Sequence, residues 1–274
     1  MTNFFGIASG IGAGNPGCGA GPLYFHQHLD GRWLDIFFAE DKGDPVDRLA
    51  FLTKKISQLS YELAKKNEFF VAIGGDHSCA IGTWSGVARA KKIGLIWIDA
   101  HMDAHTPETS ESGNLHGMPL AALMGYGNPC LAHPSIAPEN IALIGTRSFE
   151  SGEAALLKKL GVRIYFMEEV KRRGLKEIMA EAVALVSQGT DGYGVSFDLD
   201  SIDPAFVKAV GTPVPNGLDP EELLSSFSCF NDRPPLAFEL VEYNPTLDPD
   251  RTTYTYATHV IEEICARSLT LAEK

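Results

Sequence analysis

Several stretches of the chain are apolar nearly throughout: Phe69–Ile73, Gly94–Ile98, Ile141–Ile144, Val162–Phe166, Gly194–Phe197 and Leu236–Val241. Short unbroken apolar runs of this kind predict strands covered on both faces. Between them the apolar positions recur at helical spacing. Asp44 and Pro45 read as the cap and first turn of a helix that lines up Leu49, Leu52, Ile56, Leu59 and Leu63. Leu175, Ile178, Met179, Ala182, Leu185 and Val186 form a second such face ahead of a stop at Gly189. Tyr254, Ala257, Ile261, Ile264 and Cys265 form a third. Alternating strands and helices predict a parallel sheet with helices on both sides. No repeat or linker divides the chain, so residues 1–274 are expected to form one α/β domain. Ligands of such sheets bind beyond the carboxyl ends of the strands, where His77, Asp99, Asp198 and Glu242 all fall.

A formal net charge of −12 argues against nucleic acid or an anionic membrane as partner and suits a cationic substrate. The five cysteines are scattered, without a C-x-x-C pair, as expected for reduced thiols in a cytoplasmic protein. The opening Met-Thr-Asn-Phe-Phe-Gly lacks the basic and apolar regions of a signal peptide. No apolar run approaches the roughly 18 residues of a membrane span.

The chemistry concentrates in three clusters: Gly74-Gly75-Asp76-His77-Ser78, Asp99-Ala-His101-Met-Asp103 and Asp198-Leu-Asp200. Residues two apart share a face of an extended strand. Asp99, His101 and Asp103 are therefore expected to converge, and Asp198 and Asp200 to repeat the arrangement, with His77 adding a second imidazole. Four carboxylates and two imidazoles match the demand of two divalent ions, Mn²⁺ before Zn²⁺. A lone Asp-x-Asp is ordinarily a solvated turn, but three such pieces at three strand ends are hard to assign to structure alone. Asp76 and Asp203 are read as neighbours that orient ligands, not as ligands.

These clusters, with Ser196-Phe-Asp198-Leu-Asp200-Ser-Ile-Asp203-Pro204, make the chain resemble the ureohydrolase family of arginases, agmatinases and relatives. The resemblance runs from about Gly17 to the last helix and fills all six metal-ligand positions. It implies a three-layer α/β/α sandwich with a mostly parallel central sheet, two Mn²⁺ per chain, and hydrolysis of a guanidino group to an amine and urea. Thr106-Pro107 through Ser112-Gly113-Asn114-Leu115-His116-Gly117 looks most like arginases, in which the matching Ser and Asn bind the amino-acid end of the substrate. The leading substrate is therefore L-arginine, giving ornithine and urea; agmatine or another guanidino or formimino acid comes next. Family members commonly form trimers or hexamers, so a homo-oligomer is expected. The chain is also expected to lack the tail through which some arginases make oligomer contacts.

In this reading Asp103 holds the attacking water and passes its proton towards the leaving amine, Glu242 pairs with the guanidinium, and His116 shuttles protons. Thr212, in Gly211-Thr212-Pro213, stands near the guanidino group. Two positions depart from the arginase pattern. His105 replaces an Asn that contacts the substrate carboxylate, and Glu150 replaces an Asp near the substrate ammonium. Either side chain still has the hydrogen-bonding capacity for that contact.

Gly12-Ala-Gly14-Asn-Pro-Gly17 formally fits a nucleotide-binding G-x-G-x-x-G, but Pro16 sits inside it and no acidic partner follows about 20 residues on. It is read as a surface loop. A metal-binding relative without activity would hold metal but release no urea, and a one-metal deacetylase-like enzyme would keep fewer ligands.

Overall fold

The computed structural model describes residues 2–269; Met1 and 270–274, the ends of the expected domain, lie outside them. Strands β1 (Asn3–Ala8), β2 (Arg32–Phe38), β3 (Phe70–Gly74), β4 (Ile93–Ile98), β5 (Ile141–Thr146), β6 (Arg163–Phe166), β7 (Gly192–Asp198) and β8 (Ala237–Val241) form one sheet. Its order is β2-β1-β3-β8-β7-β4-β5-β6, and every neighbouring pair is parallel. The expected mostly parallel sheet is thus parallel throughout. The helices of the described residues are α1 (Gly21–His28), α2 (Pro45–Lys65), α3 (Ala80–Ala90), α4 (Pro119–Leu123), α5 (Ser151–Leu160), α6 (Met167–Arg173), α7 (Leu175–Val186), α8 (Pro220–Ser226) and α9 (Thr252–Leu269). None of them is long and apolar enough to cross a membrane.

Side chains alternate across the sheet, so each inner strand feeds two cores. Val71, Ile96, Ile144, Phe197 and Leu240 point into one, with Phe25 of α1, Val170 of α6, Ile178 of α7, Leu223 of α8 and Ile261 of α9. Phe70, Leu95, Leu143 and Val241 point into the other, with Ile56 of α2, Trp84 of α3, Leu120 of α4 and Leu157 of α5. That division is the three-layer sandwich. The helical faces read from the sequence are the buried ones: Leu49, Leu52, Ile56 and Leu63 on α2, and Ala257, Ile261 and Ile264 on α9. Asp44 Oδ1 accepts from Val46 N at 2.9 Å, capping α2. Gly189, just past α7, has φ +67°, the left-handed turn that ends a helix.

Strands β1 and β2 add to the six expected. β1 carries Gly6 at its centre, where a strand gains no packing from a side chain. β2 lies at the sheet edge with Arg32 and Asp35 in it, so its pattern is broken by charge. One close approach in the middle of the sheet matters for the site. A Cβ at Gly194 would lie 2.0 Å from Trp84 Cζ3, so only glycine there lets the indole of α3 sit across β7.

Candidate active site

Strands β3, β8, β7 and β4 are consecutive in the sheet, and their carboxyl ends deliver His77, Glu242, Asp198 and Asp99 to one place. The remaining ligand candidates arrive by tight turns and not by continued strand. His101 N donates to Asp99 Oδ1 at 2.7 Å, and Asp200 N donates to Asp198 Oδ1 at 2.8 Å. Each Asp thus folds the chain back through its own carboxylate. Asp103 then adopts φ +49°, left-handed for a non-glycine residue. The shared strand face anticipated for these residues is therefore replaced by two turns, which achieve the same convergence.

All six predicted ligands meet. His77 Nδ1 lies 3.2 Å from Asp99 Oδ2, 3.0 Å from Asp103 Oδ2 and 3.2 Å from Asp198 Oδ2. His101 Nδ1 lies 3.1 Å from Asp200 Oδ2 and 3.5 Å from Asp99 Oδ1. The cluster resolves into two groups able to hold a cation, His77–Asp99–Asp103 and Asp99–His101–Asp200, which share Asp99. A shared carboxylate is what a pair of adjacent ions requires.

One atom tests whether these residues suit metal. His77 Nδ1 is buried and makes no hydrogen bond of good geometry, although three carboxylates surround it. The other ring nitrogen explains why. Ser196 Oγ donates to Glu239 Oε2 at 2.7 Å, so towards His77 Nε2, 3.0 Å away, it is left to accept. Nε2 therefore carries a hydrogen, which leaves Nδ1 as the nitrogen that takes up a cation among the carboxylates, a proton or a metal ion. Glu239 is fully buried and also accepts from Trp84 Nε1 at 2.9 Å, the contact that Gly194 permits. The His77 ring stacks on Trp97 with centroids 4.1 Å apart, and Trp97 Nε1 donates to Asp99 Oδ2 at 2.8 Å.

The electrostatics ask for positive charge. Burial pulls the His77 imidazole down, but Asp103, Asp198 and Asp99 override it and draw it well above its ordinary value. Burial, then the charge of Asp99, pushes Asp103 up to about 6, and burial with Asp200 and Asp99 raises Asp198 well above the carboxylate range. Four carboxylates packed this closely cannot all ionise unless cations join them.

Beside the cluster is a cavity of about 120 Å³, lined by Asp103, His116, Asp198, Asp200 and Thr212 at its inner end, and by His105, Ser110, Ser112, Asn114, Glu150 and Glu153 elsewhere. His105, Ser112, Asn114, Glu150 and Thr212, expected at the substrate, all border it; Glu242, expected to pair with the guanidinium, does not. Thr212 Oγ1 also donates to Asp200 Oδ2 at 2.9 Å, so it braces a ligand candidate. The two departures from the arginase pattern touch each other: His105 Nε2 lies 2.6 Å from Glu150 Oε2. Glu153 joins them 3.5 Å from the same nitrogen. The sequence reading passed over Glu153. Its only signal was its place three residues after Glu150, where it closes a capping box at the start of α5. Burial pushes it up to about 7.

Glu242 sits behind the cavity wall. Its Oε1 accepts from His77 N at 3.0 Å and lies 3.1 Å from His116 Nδ1, and its backbone φ is +68°. Asp76 accepts from Gly12 N and Ser78 N, both at 3.0 Å, and Asp203 from Ala205 N and Gly217 N, both at 2.9 Å. Both Asp residues hold turns beside ligand candidates, and these bonds go to backbone N–H groups, not to the candidates' side chains. The glycine-rich loop is more than surface. A Cβ at Gly12 would lie 2.5 Å from Asp76 Oδ1, and Gly12 O accepts from His116 N at 3.1 Å, so the loop floors the site.

Burial pulls His116 down, but the hydrogen bond and charge of Glu242 raise it to about 9 from an ordinary 6.5. A raised histidine stabilises the fold fully below pH 6.5 and loses that contribution as pH climbs through 9. Metal-free protein is therefore expected to lose on the order of 3 kcal/mol across this window through His116. Denaturant melts should show a flatter pH dependence for His116→Asn than for wild type; parallel curves would refute the pairing.

The family model described as "Arginase family" matches residues 2–266. An arginase from Bacillus caldovelox is 39% identical over 81% of this chain and 76% of its own length. One from Bacillus subtilis is 34% identical over 96% and 97%. The crystal structure of Bacillus subtilis arginase superposes with a TM-score of 0.87 at 33% identity, covering 96% of this chain and 98% of that one. Entamoeba histolytica arginase in complex with L-ornithine gives 0.84 at 30% identity, over 96% and 98%. A match across nearly the whole length, on a fold that gathers all six ligand candidates at one sheet edge, places this chain in the arginase family.

Proposed function

We propose that the chain is a binuclear manganese hydrolase that cleaves the guanidino group of L-arginine to ornithine and urea. The observation that carries this reading is His77 Nδ1, buried without a well-formed hydrogen bond and aimed into three carboxylates, one of which is shared with a second His–Asp group. His77, Asp99, Asp103 and Asp198 would hold one Mn²⁺, and Asp99, His101, Asp198 and Asp200 the other. Two such ions would lower the pKa of a bound water towards about 7 and so supply the nucleophile.

The side chains do the rest. Asp103 accepts a hydrogen bond from the attacking water and hands its proton to the leaving amine nitrogen. Glu242 orients the guanidinium through Oε2, since Oε1 is taken by His77 N and His116. His116 moves protons between the site and solvent. Ser112 and Asn114 hold the α-carboxylate, His105 supplies a further donor to it, and Glu150 receives the ammonium. Thr212 keeps Asp200 aligned beside the guanidino group. The reading also carries a cytoplasmic homo-oligomer, trimer or hexamer, acting on a small cationic substrate with neither nucleic acid nor membrane as partner.

The His105–Glu150 contact favours a second reading, a hydrolase of agmatine or of another guanidino or formimino acid, because it ties together two groups meant for the α-carbon end of arginine. Metal-loaded protein assayed against arginine, agmatine, guanidinobutyrate and formiminoglutamate separates the two. Urea from arginine above all others is the expected result. Ser112→Ala and Asn114→Ala should each raise KM for arginine roughly 10-fold, the worth of a hydrogen bond to a charged group, and leave agmatine nearly unchanged. Equal losses on both substrates would show that these residues do not read the carboxylate.

A further inference from the structure

Arg147 follows β5, outside both cation groups, and its guanidinium is completely used. Nε donates to Pro215 O at 3.2 Å, Nη1 to Gly145 O at 3.2 Å and Ser201 O at 3.1 Å, and Nη2 to Asp200 O at 2.8 Å and Val214 O at 2.7 Å. A guanidinium has five N–H donors, and here all five end on backbone carbonyls. Those carbonyls belong to three segments: the end of β5, the turn that carries Asp200, and the loop that carries Thr212. Its own backbone N also donates to Ala100 O at 2.9 Å, between Asp99 and His101. The planar fork therefore ties the segments that bear Asp200 and Thr212 to the end of β5, and the backbone of Arg147 adds the segment that bears His101.

We infer that Arg147 is a positioning residue for the Asp99–His101–Asp200 cation group, and that the His77–Asp99–Asp103 group does not depend on it. Asp200 is held at both ends. Its carbonyl meets Nη2, and its carboxylate accepts from Thr212 Oγ1 at 2.9 Å and Ala100 N at 3.4 Å. Removing the fork frees the turn and the loop from each other, so the carboxylate of Asp200 and its Thr212 brace drift apart. Lysine does not replace it, because a single ammonium cannot reach carbonyls on three segments in one plane. Removal of such an orienting group typically weakens metal binding or activity 10- to 100-fold.

The inference rests on the two-cation reading. Wild type, Arg147→Lys and Arg147→Gln are titrated with Mn²⁺, counting bound ions and following the electron paramagnetic resonance of coupled and isolated Mn²⁺. Circular dichroism and hydrogen exchange at Gly217 and Leu218 are measured on the same samples. Wild type is expected to bind two coupled ions. Both variants are expected to stay folded, to retain one isolated ion while binding the second at least 10-fold more weakly, and to exchange faster at 217–218. Two coupled ions at wild-type affinity in either variant overturn the inference. So does unfolding of both variants, which would make Arg147 a support of the fold and not of one subsite. A wild type with fewer than two ions would instead overturn the two-cation reading itself.

Discussion

Asp103→Asn is expected to lower urea release from arginine by about 10³-fold or more with Mn²⁺ in excess, because one substitution removes a ligand and a proton carrier together. Asp103 is buried, and its Oδ2 lies 3.0 Å from the bare Nδ1 of His77. Asparagine keeps the volume and, glycine apart, tolerates the φ of +49° at this position better than other uncharged residues do. Its side-chain carbonyl can accept from protonated His77 Nδ1, so the variant keeps a partner for that nitrogen while it relieves one of four crowded charges. The metal-free variant should therefore melt no lower than metal-free wild type, and it should bind Mn²⁺ more weakly. Loss of turnover with a preserved fold is the signature. Near-normal urea release by a correctly loaded Asp103→Asn protein would remove Asp103 from the chemistry.

The sequence showed where this site lies for a physical reason. In a parallel sheet the chain leaves every strand at the same edge, so polar residues just after apolar runs collect there. His77, Asp99, Asp198 and Glu242 follow β3, β4, β7 and β8, which are neighbours in the sheet although far apart in the chain. The geometry past the strand ends was less legible. Asp99 and Asp198 each close a turn on their own carboxylate, and nothing in a two-residue spacing distinguishes that from extended chain. The edge strand β2 was missed for the same reason that covered ones were found, since only burial on both faces writes an unbroken apolar run, and β2 is half exposed and carries Arg32 and Asp35. Arg147 and Glu239 left no trace. One bonds to carbonyls, which every residue possesses, and the other lies within the apolar run of β8 as an isolated charge. The His105–Glu150 contact joins residues 45 apart, and only the fold shows that the two departures from the arginase pattern form one unit.

Stripping the metal is expected to abolish urea release and to lower the melting temperature by roughly 10 °C relative to protein saturated with Mn²⁺. A ligand at 100 times its Kd stabilises the folded state by about 2.7 kcal/mol per site, so two sites give about 5, and each kcal/mol moves a domain of this size by about 2–4 °C. The pH dependence makes the prediction specific. Asp103 and Asp198 have folded-state pKa values above the ordinary 3.8, Asp103 at about 6, and both imidazoles of the cluster are raised as well. Groups raised on folding favour the folded state fully below their unfolded pKa and lose that contribution as pH climbs through the folded value. Asp99, held low by His101 and His77 against its burial, works the other way but is one group against four. The metal-free protein should thus weaken as pH rises from about 4 past 6, as the cluster gives up the protons that stand in for cations. Mn²⁺ competes with those same protons and binds more tightly as they leave. The gap between loaded and stripped melting temperatures should accordingly widen from pH 5.5 to pH 8 in scanning calorimetry. A gap that is absent, or that narrows over this range, would mean that the buried carboxylates answer to something other than metal.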